Sequence, residues 1–309
     1  MLVVGEVHTG LLRGRDPATL EESRQFVDLV AGEQVLVSQR PISYVRSPAV
    51  PVGVDCPLVP GGTSRQTRGV GTVLRRAAIT GGHVLQGSAW TTLEPARGSA
   101  RQPWSHYLAR PGVVEVLGRA RWPELAASFA GLDQAEATLD LGAMAARALD
   151  DVQRETARPG TSRLRSARTR VRWIAETGDA AAPVRFALRR TDLRVIQLTG
   201  SGLSAPELAA LCEDIALHDW LLTTLIEAVR KAAPGVLARP EALRRLAPVI
   251  DYLLHLWMPD ARGNAFSARV WASLEARPGF TRQWETLVRR IRDQLSAGAV
   301  ASLAAAGPQ

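Results

Sequence analysis

Four ionisable side chains in the apolar, helical last third of the chain have residue types that could bind a metal ion. His218 and Asp219 are adjacent in a predicted helix that is apolar almost all round, and Asp251 and His255 lie four residues apart on the next. Residues four apart share one face of a helix. Imidazole and carboxylate groups bind transition metals and also transfer protons. These four residues therefore indicate a metal or acid–base site.

The same residues have an architectural interpretation, which we favour. A carboxylate that is buried among apolar side chains needs a partner, because burying it alone is very costly. Asp219 or Asp251 would then pair with an arginine such as Arg282 or Arg289. On this interpretation we expect neither a bound metal nor a cofactor.

The His218-Asp219 pair also resembles the metal site of HD-type phosphohydrolases, which takes a histidine, then a His-Asp pair, then a later aspartate. Asp251 would be the later aspartate. The chain departs from this pattern at the first position, because the nearest upstream histidine, His106, lies in the β-rich half. The resemblance implies a metal-dependent hydrolase, which we keep as an alternative function.

Arginines alternate with apolar residues along two predicted strands, 169–175 and 184–190. Because side chains alternate across a strand, a hairpin of these two strands would present one apolar face and one Arg-lined face. Guanidinium groups bind phosphate and carboxylate groups in a bidentate manner. We expect the following arginines to bind an anion or a partner: Arg163, Arg165, Arg168, Arg170, Arg172, Arg185 and Arg189.

The distribution of charge supports a basic surface more strongly than the net charge of +8 does. Residues 61–122 contain nine arginines and two acidic residues, and residues 154–203 contain eleven and four, whereas residues 204–309 are nearly neutral. Clustered positive charge favours an acidic protein partner or a polyanion, and a nucleic-acid-binding module is a further alternative. Charge runs are also often solvated faces, which the acidic stretch 123–153 would here neutralise in part.

Glu6 and His8 share one face of the first predicted strand. Two residues apart on a strand, they lie about 7 Å from each other. We therefore predict that they are too far apart to bond directly, and we assign them a structural role.

Several classes of protein are not expected from the composition. The first residues lack the basic segment of a signal peptide, and no run approaches the roughly 18 apolar residues of a membrane-spanning helix. Cys56 and Cys212 belong to no CxxC pair. We expect a cytoplasmic protein with reduced cysteines and no contact with a membrane.

The order of the predicted elements indicates an α+β protein. Hydrophobic patterning predicts strands at 2–9, 34–39, 69–75, 77–80, 83–93, 113–117, 169–175, 184–190 and 193–199. It predicts helices at 17–31, 123–130, 141–155 and 204–231. It also predicts a helix that begins near Pro240 and is kinked or restarted at Pro248, and a last helix after Gly279. We predict three regions: a β-rich α+β domain at 1–155, an Arg-rich linker and β-hairpin at 156–203, and an α-helical domain at 204–309.

Longer phrases, among them GEVHTGLL, ITGGHVLQGSA, PWSHYLARPGVVEVLG and RPGFTRQWETLVRRIRDQL, resemble a conserved family of actinobacterial proteins without an established activity. The resemblance runs over nearly the whole chain. It implies a component of a multi-protein system, encoded beside a variant P-loop protein and a methyltransferase-like protein, whose products are candidate partners. We therefore predict a non-enzymatic interaction or regulatory component that binds an acidic protein partner or a polyanion through the Arg-lined face.

Overall fold

The computed structural model describes residues 2–58, 67–119, 121–131, 138–156, 164–176, 184–200, 202–232, 239–261 and 263–305. Within these ranges the chain is an α+β protein, as the sequence predicts, with ten strands in one mixed sheet. The strands are β1 (Leu2–Leu11), β2 (Leu36–Ser38), β3 (Tyr44–Arg46), β4 (Val50–Pro57), β5 (Arg68–Thr80), β6 (Val84–Pro95), β7 (Val113–Leu117), β8 (Thr169–Glu176), β9 (Val184–Leu188) and β10 (Leu193–Thr199).

Eight α-helices within the described ranges accompany the sheet. They are α1 (Leu20–Phe26), α2 (Trp104–Leu108), α3 (Trp122–Ala130), α4 (Leu141–Glu155), α5 (Ala205–Ala232), α6 (Arg239–Tyr252), α7 (Ala265–Ala276) and α8 (Phe280–Ala305). The helices predicted near 123–130, 141–155, 204–231 and after Gly279 are confirmed. Helix α1 is shorter than predicted, because Thr19 accepts a hydrogen bond from the backbone of Glu22 and so caps the helix at that point.

Strand β1 lies in the middle of the sheet. It pairs antiparallel with β6 on one side and with β8 on the other. The full order is β2-β3-β5-β7-β6-β1-β8-β10-β9, with β4 beside β5. Strands of the predicted N-terminal domain and of the Arg-rich region thus share one sheet, while the three-part domain division stays a prediction.

The predicted pairing of β8 with β9 is wrong. Strand β8 lies between β1 and β10, and it runs parallel to β10. The hairpin that forms is instead β9–β10. The alternation of side chains correctly indicates a strand, but it is a local property and does not specify which strand lies alongside.

Each face of the sheet is covered by its own helices. On one face, which we call the α5 face, Val3, Val7 and Trp173 pack in one core with α5. On the other, which we call the α4 face, other sheet residues pack in a second core with α3 and α4. The sheet residues of the second core include Leu2, Val4, Ile174 and Val195. Successive side chains of β1 and of β8 therefore point alternately into the two cores.

Helix α4 approaches β6 so closely that Gly87 has no room for a side chain. A Cβ atom at this position would lie 2.2 Å from the carbonyl oxygen of Ala145. The substitution Gly87→Ala should therefore lower the free energy of unfolding by about 1–3 kcal/mol, because the helix must move away from the sheet.

Chemical denaturation of the Gly87→Ala protein would measure this loss. The matched control is Gly98→Ala, where nothing lies within 4 Å of the added atom, and the change should stay within about 0.5 kcal/mol. Equal stability of the two variants would contradict the close packing of α4 on β6.

Candidate functional site

Glu6 and Arg172 form a buried ion pair on the α4 face. They are cross-strand neighbours on β1 and β8, and Nε of Arg172 donates to Oε2 of Glu6 at 2.9 Å. Their exposed fractions are only 0% and 5%. Arg172 also donates through Nη1 to the carbonyl oxygens of Phe129 and Gly131, at the end of α3. Arg172 thus holds β1, β8 and α3 together and is closed to a partner.

Glu6 also bonds His8, so the prediction that these side chains are too far apart is wrong. Nε2 of His8 lies 3.1 Å from Oε1 of Glu6. The two side chains bend toward each other and span the spacing between their backbone positions. Burial raises the pKa of Glu6, but the hydrogen bond from His8 and the charge of Arg172 outweigh it, and the pKa lies below the ordinary 4.5. Since the ionised carboxylate only accepts, the proton lies on Nε2 of His8.

A cleft of about 290 Å³ opens beside this cluster, at the start of α4. Gly142 lets the helix approach, because a Cβ there would lie 2.7 Å from Oε1 of Glu6. The ionisable residues that line the cleft are Glu6, His8, Asp140, Arg170 and Arg172. Two arginines are balanced by two carboxylates, so the cleft has no excess of positive charge.

Two more of the predicted arginines are bonded to carboxylates. Nε of Arg170 donates to Oδ2 of Asp192 at 2.9 Å. Nη2 of Arg168 donates to Oδ1 of Asp150, on α4, at 2.8 Å. The acidic residues thus neutralise a large part of the Arg-lined face that the alternation predicts.

Three of the predicted arginines remain open to solvent. Arg165 precedes β8, Arg185 lies on β9, and Arg189 follows the end of that strand. All three are exposed, and none forms an ion pair with another residue of the described ranges. Arg163 lies outside the described residues. Of the seven predicted arginines, those without an ion pair to another described residue therefore lie at the β9 edge of the sheet and in the segment that leads into β8.

His218 is buried, and both of its ring nitrogens are engaged. Nδ1 lies 2.7 Å from the carbonyl oxygen of Asp214, and Nε2 accepts a hydrogen bond from the backbone of Met258 at 3.2 Å. The rings of Trp257 and Trp271 flank it edge to face, at 5.1 and 5.2 Å. Because Nε2 accepts, the proton lies on Nδ1, and no lone pair is left for a metal.

Asp219 pairs with Arg194, which lies on β10. Oδ2 of Asp219 is 2.7 Å from Nε of Arg194, and both residues are buried. Asp219 therefore has a cationic partner, as predicted, but the partner is not Arg282 or Arg289. The face of α5 that carries Asp219 packs against the sheet, where Arg194 lies. Burial raises the pKa of Asp219 above the ordinary 3.8 in spite of the charge of Arg194.

Asp251 and His255, the other two residues of the predicted metal site, form no cluster with His218 and Asp219. Asp251 and His255 are exposed, and partial burial lowers the pKa of His255 below the ordinary 6.5. Among the residues that the structure describes, no group of three or more His, Cys, Asp or Glu side chains could hold a metal ion. The four residues are therefore not brought together as ligands.

A third buried ion pair, Arg76–Glu213, was not singled out from the sequence. Nε and Nη2 of Arg76 donate to the two carboxylate oxygens of Glu213 at 2.7 and 2.8 Å. The guanidinium group also lies 4.6 Å from the centre of the Trp90 ring. The sequence contained one indication of this pair, because Glu213 lies beside Cys212 in the apolar stripe of α5 and a buried carboxylate needs a partner. The partner itself could not be identified, since Arg76 is 137 residues away.

A second cleft, of about 300 Å³, lies beside the first half of α5. Three of its carboxylates belong to Glu207, Asp214 and Asp260. Two of these already accept hydrogen bonds from the chain: Glu207 from the backbone of Ser204, and Asp214 from the indole of Trp271. These bonds hold the start of α5 and the position of α7, so we assign these two carboxylates to the fold.

The fold and the candidate site define an α+β protein with one mixed sheet and a basic sheet edge. Comparisons with protein-family models, with curated proteins and with solved structures find no match. The family resemblance drawn from the sequence thus stays an expectation. None of the described helices is long and apolar enough to cross a membrane.

Proposed function

We propose that this protein is a non-enzymatic component of a multi-protein system and binds an acidic protein partner through the arginines at the β9 edge. One observation carries the proposal. Arg185 and Arg189 are exposed and form no ion pair with another described residue, whereas Arg168, Arg170 and Arg172 are bonded to carboxylates. Arg165 adds a third open guanidinium group.

The chemistry of guanidinium groups favours carboxylates as ligands here. Arginine presents a planar fork of donors that matches a carboxylate, and it stays charged at any working pH. A single exposed pair is worth only about 0.2–1 kcal/mol, so the partner must engage several arginines at once.

An acidic protein fits this surface better than a nucleic acid does. Asp150 and Asp192 lie among the arginines and are bonded to two of them. A phosphate backbone carries closely spaced negative charges and is bound by a continuous basic surface. Carboxylates of a protein can be placed singly opposite Arg185 and Arg189, away from these aspartates.

Charge reversal at Arg185 and Arg189 should abolish most of the binding. The probe is fluorescein-labelled poly-L-glutamate, whose binding to the purified protein is measured by fluorescence anisotropy at several salt concentrations. We expect Arg185→Glu with Arg189→Glu to weaken binding at least tenfold and to flatten its dependence on salt, because fewer counterions are displaced.

The matched control is Arg289→Glu with Arg290→Glu, which reverses two exposed arginines on α8. It should bind poly-L-glutamate almost as well as the wild type does. An equal loss in both variants would mean that net charge, and not the β9 edge, drives binding. Tighter binding of duplex DNA than of poly-L-glutamate would favour the nucleic-acid alternative.

A further inference from the structure

Among the described strands, β9 is the last of the sheet, and its outer edge pairs with none of them. It pairs with β10 on one side, and no other described strand lies beside it. Beyond its last residue, the backbone N–H of Arg189 donates inward to Leu193. Since successive residues of a strand point their backbone groups to opposite sides, the N–H and C=O of Phe186 and Leu188 point outward. These groups form a template for an additional strand.

The two faces of β9 differ in chemistry. On the α5 face, Phe186 packs against the ring of Phe280 at 5.3 Å, and Leu188 beside it is 64% exposed. Arg185 is next to Phe186 in the strand and therefore points to the α4 face, and continued alternation past the end of β9 places Arg189 on that side as well. A strand added at this edge would therefore meet apolar side chains on one face and positive charge on the other.

We propose that β9 accepts an extended segment of the partner protein as an eleventh strand, in which acidic and apolar residues alternate. This inference rests on the proposed function and states how the acidic partner binds. Main-chain hydrogen bonds to Phe186 and Leu188 would supply affinity, and alternate side chains would supply specificity. Opposite charges that face each other on neighbouring strands also stabilise the pairing.

Charge complementarity selects this occupant over a second copy of the chain. Two β9 edges placed side by side would bring Arg185 and Arg189 of each copy onto shared faces of a joined sheet. Like charges that face each other across strands are destabilising. An acidic strand replaces that repulsion by attraction.

The test uses labelled peptides that differ only in pattern. One peptide alternates glutamate and valine over eight residues, and the other has the same composition in two blocks. We expect the alternating peptide to bind the wild-type protein at least tenfold more tightly, because only it places every glutamate on the arginine side. Equal affinities of the two peptides, or no binding of the alternating one, would overturn the inference.

Two substitutions at Leu188 distinguish the contribution of the backbone N–H to peptide binding from that of the side chain. Leu188→Pro removes the outward N–H, and Leu188→Ala keeps it while removing most of the same side chain. Proline is tolerated on a strand edge that faces solvent. We expect Leu188→Pro to bind the alternating peptide at least tenfold more weakly than Leu188→Ala does. Binding of poly-L-glutamate should be the same in both variants.

A further peptide keeps the protein unaltered. An alternating peptide that is N-methylated at every second residue, on the side that faces β9, should lose binding to the wild type, because it cannot donate to the edge. If it binds as well as its parent, and Leu188→Pro binds like Leu188→Ala, strand addition is wrong. The proposed function then still stands if poly-L-glutamate binding depends on Arg185 and Arg189, and it falls if that dependence is also absent.

Discussion

Replacing Arg172 by methionine should lower the free energy of unfolding by about 3–5 kcal/mol, which is the expected cost of breaking a buried ion pair at one partner. The variant leaves the carboxylate of Glu6 at 0% exposure without its guanidinium partner. It also removes the donors that bond the carbonyl oxygens of Phe129 and Gly131. Denaturation by urea, followed by circular dichroism, would measure the loss.

A double variant distinguishes the net contribution of the Glu6–Arg172 pair to stability from the cost of leaving Glu6 buried without a partner. Because apolar residues of similar volume often replace a buried ion pair without loss, the double variant Glu6→Met with Arg172→Met should be more stable than Arg172→Met alone. Arg168→Met is the matched control. Its ion pair with Asp150 is exposed, so the change should stay below about 1 kcal/mol. Similar losses in Arg168→Met and Arg172→Met would contradict the buried site.

The effect of Arg172→Met should depend on pH in a defined direction. The pKa of Glu6 in the folded protein lies below its ordinary value of 4.5. A group with a depressed folded pKa stabilises the fold above its unfolded pKa, and this stabilisation is lost as the pH falls through the folded value. The difference between wild type and variant should therefore be full near neutral pH and shrink in acid below 4.5.

Glu213→Gln should have a comparable effect on the other face of the sheet. Removing this charge leaves the buried guanidinium of Arg76 with a neutral acceptor and weakens the bond from Ser88, for an expected loss of about 3–5 kcal/mol. Burial lowers the pKa of Arg76, and in the wild type the carboxylate of Glu213 outweighs it and raises the pKa. A guanidinium group stays protonated in proteins even without such a partner, so Arg76 remains charged in the variant. Helix α5 should then pack less firmly on β5 and β6.

Glu227→Gln provides the control on the same helix. Glu227 forms a partly exposed ion pair with Lys231 at 3.2 Å near the C-terminal end of α5, so its loss should cost only about 0.3–0.5 kcal/mol. Hydrogen exchange gives a second measurement, since backbone amides of α5 around residue 213 should exchange faster in Glu213→Gln than in Glu227→Gln. Equal exchange in both variants would show that Arg76–Glu213 does not hold α5 on the sheet.

Both predictions change what the arginines of β8 can be expected to do. The sequence groups Arg168, Arg170 and Arg172 as one anion-binding set. In the structure Arg172 is buried and its substitution should destabilise the fold, so a loss of binding in that variant would carry no information on a partner. Arg185 and Arg189 are exposed, so their charge can be changed without touching the core.

The periodicity of the chain by itself determined much of the secondary structure. The predicted helix at 141–155 agrees with α4, and the predicted strand at 113–117 agrees with β7. The same patterning placed Asp219 in an apolar stripe and so required it to have a partner. These properties depend on residues that are only a few positions apart, and they can therefore be predicted from a single sequence.

Only the tertiary structure decided which charges meet and which remain open. Glu6 and Arg172 are 166 residues apart, and they become neighbours because β8 pairs with β1 and not with β9. That choice buries Arg172, and the position of β9 at the end of the sheet leaves Arg185 exposed. Strand order is a relation between residues far apart in the sequence, which alternation along a single strand does not encode.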